Sequence, residues 1–131
     1  MLVDTSGLLC LFDRSDARNE AAITYYGAAD LRITHNYVLA EFVALAPRRG
    51  VPKAQVLDAV ADVHDDPEIE VIWVDEVLHC DGLRLLQNRL DKGWTLCDAV
   101  SILLMQQRGI LEALTTDADF EEAGLQRLLP N

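Results

Sequence analysis

Four carboxylates in this chain are of a type and placement that could do chemistry together: Asp4, Glu41, Asp98 and Asp117. Asp4 closes the apolar opening Met1-Leu2-Val3, and Thr5 and Ser6 follow it directly. Glu41 is the only charge in Asn36-Tyr37-Val38-Leu39-Ala40-Glu41-Phe42-Val43-Ala44-Leu45. Its helical neighbours at three and four positions are Tyr37, Val38, Ala44 and Leu45, so no basic side chain pairs with it along the helix. A helix apolar nearly all round is expected to be largely buried, and a buried carboxylate must be paired, protonated or bound to a cation. Asp98 keeps similar company in Trp94, Thr95, Ser101 and Ile102, ahead of the apolar run Ala99 to Met105.

Carboxylates that converge without His or Cys suit a hard cation, Mg²⁺ or Mn²⁺. Thr5 and Ser6 would orient bound waters or one of the acids. Sites of this kind hold one or two ions for in-line attack of water on a phosphodiester. Each acid also has an ordinary role open to it. Asp4 can bond the turn that follows. Asp98 lies three residues after Thr95, the spacing of a capping box, and suits the positive end of a helix. Asp117 can cap the next helical turn. Taken singly, Asp98 and Asp117 read as caps. Two unpaired acids on two apolar helices are what packing does not explain.

The elements that must position these residues alternate between strand and helix. Leu2-Val3 reads as a strand and Ser6 to Phe12 as a short helix. Ser15 or Asp16 caps a helix to about Ala29. Leu31 to His35 is the second strand. Asn36 caps a helix to Ala46, which Pro47 and Gly50 close. Pro52 opens a helix to Val63. Ile69 to Val74 is the strand with the strongest β-branched content. Helices then cover Val77 to Leu90 and, capped by Thr95, the stretch to Arg108. Ala113-Leu114 is a strand, Ala118 to Glu122 a helical turn, and Leu125 to Leu129 a last strand. This order predicts an α/β fold with a parallel sheet covered on both faces through right-handed crossovers. Ligands in such sheets bind beyond the carboxyl ends of the strands. Asp4, Glu41 and Asp117 fall near that rim, and Asp98 joins them if its helix starts there.

Composition sets limits. The 131 residues suit one domain spanning 1–131, half of them hydrophobic and a quarter charged, as in an ordinary globular protein. No apolar run approaches the ~20 residues of a membrane span, and the start lacks the basic segment of a signal peptide. Cys10, Cys80 and Cys97 have no CxxC spacing and read as reduced thiols of a cytoplasmic protein. His35, His64 and His79 form no ligand pattern. Twenty-two acids against eleven Lys and Arg give a net charge of −11, which repels nucleic acid at long range. A nucleic-acid function must overcome that field locally, through metal ions or a few placed arginines. Arg14, Arg48, Arg49 and Arg108 are the arginines to consider, each read first as solvated surface.

The chain resembles a PIN domain, and most closely a VapC-like toxin of a toxin–antitoxin pair. The resemblance runs the whole length. It rests on Val3-Asp4-Thr5-Ser6, Val38-Leu39-Ala40-Glu41, Thr95-Leu96-Cys97-Asp98-Ala99-Val100-Ser101 and Thr115-Thr116-Asp117-Ala118-Asp119-Phe120, four blocks in the family's order. It implies a three-layer α/β/α fold and an acidic quartet, Asp4, Glu41, Asp98 and Asp117, around Mg²⁺ or Mn²⁺. It also implies supporting roles for Thr115 and Asp119, endoribonuclease activity on an RNA substrate, a homodimer, and inhibition by a cognate antitoxin. A basic antitoxin segment would answer part of the −11. Gly7 stands where the family often has alanine.

Two other readings compete. A response-regulator receiver also places acids after its strands, with Asp75 as phosphoacceptor. It needs an acid pair after strand one and a lysine after strand five, and both are missing. A catalytically inactive PIN module that only binds partners is the other.

Overall fold

Leu2 and Val3 form the centre of the sheet because both flanking strands hydrogen-bond to them and neither residue retains accessible surface. In the computed structural model, which describes residues 1–130, the elements run β1 (Leu2–Val3), α1 (Thr5–Phe12), α2 (Asn19–Ala28), β2 (Ile33–His35), α3 (Asn36–Leu45), a 3₁₀ turn (Ala46–Arg49), α4 (Lys53–Asp65), β3 (Glu70–Ile72), α5 (Glu76–Asn88), α6 (Leu96–Arg108), β4 (Glu112–Leu114), α7 (Asp119–Glu122) and β5 (Gln126–Arg127). The strands lie in the order β3-β2-β1-β4-β5, and every pairing is parallel.

Alternation along β1 divides the core in two. Val3 joins Leu8, Leu9, Val38, Phe42 and Val56 beneath α1–α4. Leu2 joins Ile33, Leu78, Val100, Leu104, Met105 and Phe120 beneath α5–α7. The register carries this through the sheet, since Leu2 pairs with Ala113 on its own side and Val3 with Leu114 on the other. The result is the expected three-layer α/β/α sandwich. The chain's order of helices then decides what faces what: α3 and α6 approach the central strands from opposite faces.

Several boundaries differ from the sequence expectation, each for a local reason. Helix α2 starts at Asn19, because the Asp13 and Asp16 carboxylates accept the backbone N–H of Ser15 and Arg18 and fold residues 13–18 into turns. Helix α3 is capped by the His35 ring, which accepts from Val38 N. Asn36 instead accepts the N–H of Val74 at 2.6 Å, which ends β3 at Ile72. Strand β3 lies at the edge and is partly exposed, so its β-branched content marks a border rather than the buried centre. Asp75, the residue a receiver would phosphorylate, caps α5 by accepting from Leu78 N at 2.8 Å. No helix among the described residues is long and apolar enough to cross a membrane.

Candidate functional site

Asp4 leaves β1 at its carboxyl end and begins α1, yet its side chain does not cap that helix. It turns to the neighbouring strand instead. Thr115, the residue after β4, donates its hydroxyl to Asp4 Oδ2 at 2.9 Å, and Ser6 Oγ reaches the same oxygen at 3.4 Å. Ser6 and Thr115 lie 3.0 Å apart, hydroxyl to hydroxyl. The network continues into the loop after β4: Thr116 N donates to Ser6 Oγ at 2.9 Å, and Asp117 N to Thr115 Oγ1 at 3.0 Å. Two hydroxyls thus tie the end of β1 to the loop that carries Asp117. Thr5 takes no part in this network, and its buried hydroxyl has no hydrogen-bond partner.

Gly7 makes this closeness possible. A Cβ added there would lie 2.0 Å from the carbonyl oxygen of Leu114, so α1 packs directly on the last carbonyl of β4. That carbonyl also accepts the Asp4 N–H at 3.2 Å. The small residue is therefore a requirement of this chain's α1–β4 contact rather than an incidental departure from alanine.

Asp98 enters from the other face of the sheet on α6. Its capping role is real: Thr95 N donates to Asp98 Oδ2 at 2.8 Å, and Asp98 N donates to Thr95 Oγ1 at 3.1 Å. The cap occupies one carboxylate oxygen and leaves Oδ1 available. Asp117 is used in the same way, with Oδ1 accepting from Asp119 N at 2.9 Å. The two ordinary roles and the cleft role coexist because a carboxylate has two oxygens.

One open cleft of about 460 Å³ collects these residues, with Asp4, Thr5, Ser6, Glu41, Thr95, Asp98, Thr116, Asp117, Ala118 and Arg127 in its wall. The four acids singled out in the sequence therefore meet. The tightest group is a different one: Asp98, Asp117 and Asp119 each offer an oxygen within 4.8 Å of the others. Asp119, expected only to assist, belongs to this group with Asp98 and Asp117. Glu41 corrects another expectation. It is half-buried rather than enclosed, because Ala40 and Ala44 leave that flank of α3 exposed. It accepts no hydrogen bond or ion pair among the described residues.

Electrostatics reflect the crowding. Burial pushes the Asp4 carboxyl up to about 7, the Thr115 hydroxyl pulls it back, and the charges of Asp98 and Glu41 push it up further. Asp98 is raised as well, first by burial and then by Asp117 and Asp119, against the pull of its bonds to Thr95. Cys97, buried behind the cleft, is driven upward by burial and by Glu41, Asp4 and Asp98, so it stays a thiol. His35 is fully buried and bonded through Nε2 to Ser101 Oγ at 2.8 Å, which joins the start of α3 to α6. Burial lowers it to about 4, and it remains neutral.

The arginines considered from sequence are elsewhere. Arg108 pairs with Glu70 at the opposite end of the strands, and Arg14, Arg48 and Arg49 line no part of the cleft. Arg127, which the sequence did not single out, is the cation in its wall.

Residues 1–125 match the PIN domain family. The chain belongs to that family. Among known proteins, this PIN domain is similar to the 23S rRNA-specific endonuclease VapC20 from two strains of Mycobacterium tuberculosis, at 28% identity over 131 residues, covering 99% of this chain and 98% of the relative. The crystal structure of Mycobacterium tuberculosis VapC20, described as a sarcin–ricin loop cleaving toxin, superimposes with a TM-score of 0.86 at 27% identity over 95% of both chains. The donor set of the PIN domain's cleft fits a divalent cation. Its clustered acids offer only carboxylate oxygens, the donor set that a hard divalent cation takes.

Proposed function

We propose that this PIN domain is a divalent-metal-dependent endoribonuclease, acting as the toxin of a toxin–antitoxin pair. Asp4, Glu41, Asp98 and Asp117 are assigned as its catalytic, metal-holding residues, with Mg²⁺ or Mn²⁺ as the ion. The observation that carries this reading is the convergence of these acids, with Asp119, in one cleft past the strand ends, without His or Cys among them. A bound divalent ion supplies positive charge for the phosphate oxygens and acidifies a water that it holds. The protein's part is placement. Thr115 and Ser6 fix Asp4 by accepting and donating in a closed set of hydroxyl bonds, and they fix the loop carrying Asp117 at the same time. The Thr95 cap fixes Asp98 on the opposite side. Glu41 accepts no hydrogen bond among the described residues, which leaves its carboxylate available to the ion from the cleft wall.

The chain 1–131 is read as one functional domain that works in the cytoplasm as a homodimer and is silenced by a cognate antitoxin. The activity of the VapC20 relatives on 23S rRNA makes a ribosomal stem-loop the first substrate to try.

The test is direct. Purified protein with Mg²⁺ or Mn²⁺ should cleave structured RNA, and EDTA should stop it. Asp4→Asn and Asp98→Asn should each lose activity by orders of magnitude while remaining folded by circular dichroism. Expression should arrest bacterial growth, and Asp98→Ala should relieve the arrest. An Asp98→Asn variant that cleaves as fast as the parent would sink the assignment. Arrest of equal strength by Asp98→Ala would favour the partner-binding module instead.

A further inference from the structure

The acid cleft has one cation in its wall, and nothing so far gives it a task. Arg127 is the last residue of β5, placed beside the β4 end by its pairing with Ala113. Its side chain is only 16% exposed. Nε donates to Glu121 Oε1 at 3.1 Å, and Nη1 donates to the carbonyl of Thr116 at 3.0 Å. Nη2 has no partner among the described residues. The guanidinium is therefore anchored through Nε and Nη1, with Nη2 unbonded, and the side chain stands in the wall of a cleft lined mostly by acids and hydroxyls.

A polyanion approaching this rim meets five carboxylates and a net charge of −11. A divalent ion held by the acids compensates those acids, but it leaves the neighbouring phosphates of the strand without a donor. A guanidinium is built for that task, because its planar fork matches a phosphate and it stays charged at any working pH. Anchoring also removes in advance much of the side-chain entropy that a flexible surface arginine would lose on binding. Of the other basic residues, Lys92 is paired with Glu122 and Arg108 with Glu70 at the far edge.

We propose that Arg127 binds a phosphate of the RNA strand in the acid cleft, beside the phosphate that is cleaved. The proposal rests on the ribonuclease reading above. A purely structural role is the competing account, since the bond to Thr116 also props the loop that bears Asp117 and Asp119.

Binding of a fluorescent RNA stem-loop separates the two. It is measured by anisotropy in Mg²⁺ across a range of NaCl concentrations, in an Asp98→Asn background that suppresses cleavage. Arg127→Gln should weaken binding about tenfold or more. It should also flatten the plot of log affinity against log salt by roughly 0.7–0.9, the loss of one phosphate contact. Arg108→Gln removes the same charge at the opposite sheet edge and should leave that slope as it is. A slope that changes no more in Arg127→Gln than in Arg108→Gln overturns the proposal. Footprinting decides the matter even if Arg127→Gln folds poorly. In the Asp98→Asn chain, RNA should shield Arg127 from phenylglyoxal as read by mass spectrometry, and equal modification with and without RNA overturns the proposal. Parent protein that neither binds nor cleaves RNA defeats the ribonuclease reading itself, and this inference with it.

Discussion

Asp4 shows how a single carboxyl can weigh against the fold that holds it. Its folded-state pKa of about 7, against 3.8 in an open chain, means that the metal-free native protein binds a proton that the unfolded chain has released. Between pH ~4 and ~7 the native state carries more protons, so stability contributed by Asp4 falls as pH rises. The shift corresponds to a loss on the order of 4 kcal/mol at neutral pH. His35 acts in the opposite sense. Its pKa is lowered to about 4 from 6.5, so the unfolded chain holds the extra proton and stability rises as pH climbs through that window. The two slopes oppose each other in the parent, and the raised carboxyls of Asp98 and Asp119 add to that of Asp4. Asp4→Asn removes one of them. In EDTA the variant's melting temperature should pull progressively above the parent's between pH ~4 and ~7. Melting curves at four or five pH values check this, and a difference that stays flat across the range would remove the electrostatic account of Asp4.

At the scale of elements, the contact between α1 and β4 decides whether the cleft keeps its shape. Gly7→Ala should gain up to ~1 kcal/mol of helix propensity. Against that stands a Cβ 2.0 Å from a backbone oxygen, which cannot swing aside as a side chain would. The expected net result is destabilisation of about 1–3 kcal/mol, the usual cost of overpacking. Chemical denaturation measures it, and a variant as stable as the parent would show that α1 can shift freely. Because α1 carries Ser6, the same variant should lose RNA cleavage more steeply than stability. The elements also show how far the sequence could be read. All five strands were legible from the alternation of short strand-like and helix-like segments, although the last is confined to Gln126–Arg127 of the expected Leu125 to Leu129, and so was the rim carrying Asp4, Glu41 and Asp117. The half-exposure of Glu41 was not, because apolar Ala40 and Ala44 look like core letters while standing in solvent. Arg127 was missed for a different reason. Only the β4–β5 register brings it to the cleft, and a pairing between residues fourteen apart leaves no periodic trace. Asp119 was legible as a neighbour of Asp117, but not as a member of the group with Asp98, which depends on how α7 docks near α6.

For the whole molecule, five of the twenty-two acids meet at one rim of a chain that is already strongly negative. Like charges at this spacing disfavour the folded arrangement in the absence of a cation. Two kinds of relief are available, and they differ in what they need. Monovalent salt screens the repulsion without requiring any particular geometry. A divalent ion bound by converging oxygens requires the native arrangement and is absent from the unfolded chain. Binding at a concentration ~100-fold above its dissociation constant should then stabilise by about 2.7 kcal/mol. Millimolar Mg²⁺ should therefore raise the parent's melting temperature well beyond NaCl of matched ionic strength. Asp4→Asn, which keeps the shape of the cluster with one charge fewer, should start at or above the metal-free parent and gain much less from Mg²⁺. If the carboxylates served only as caps and turn formers, losing one would cost about 1 kcal/mol with or without the ion. Differential scanning of both proteins in EDTA, in NaCl and in Mg²⁺ separates these cases. Equal gains from NaCl and Mg²⁺ would reduce the cluster to general charge repulsion, and an Asp4→Asn variant that is weakened in EDTA yet gains fully from Mg²⁺ would take Asp4 out of the cation site.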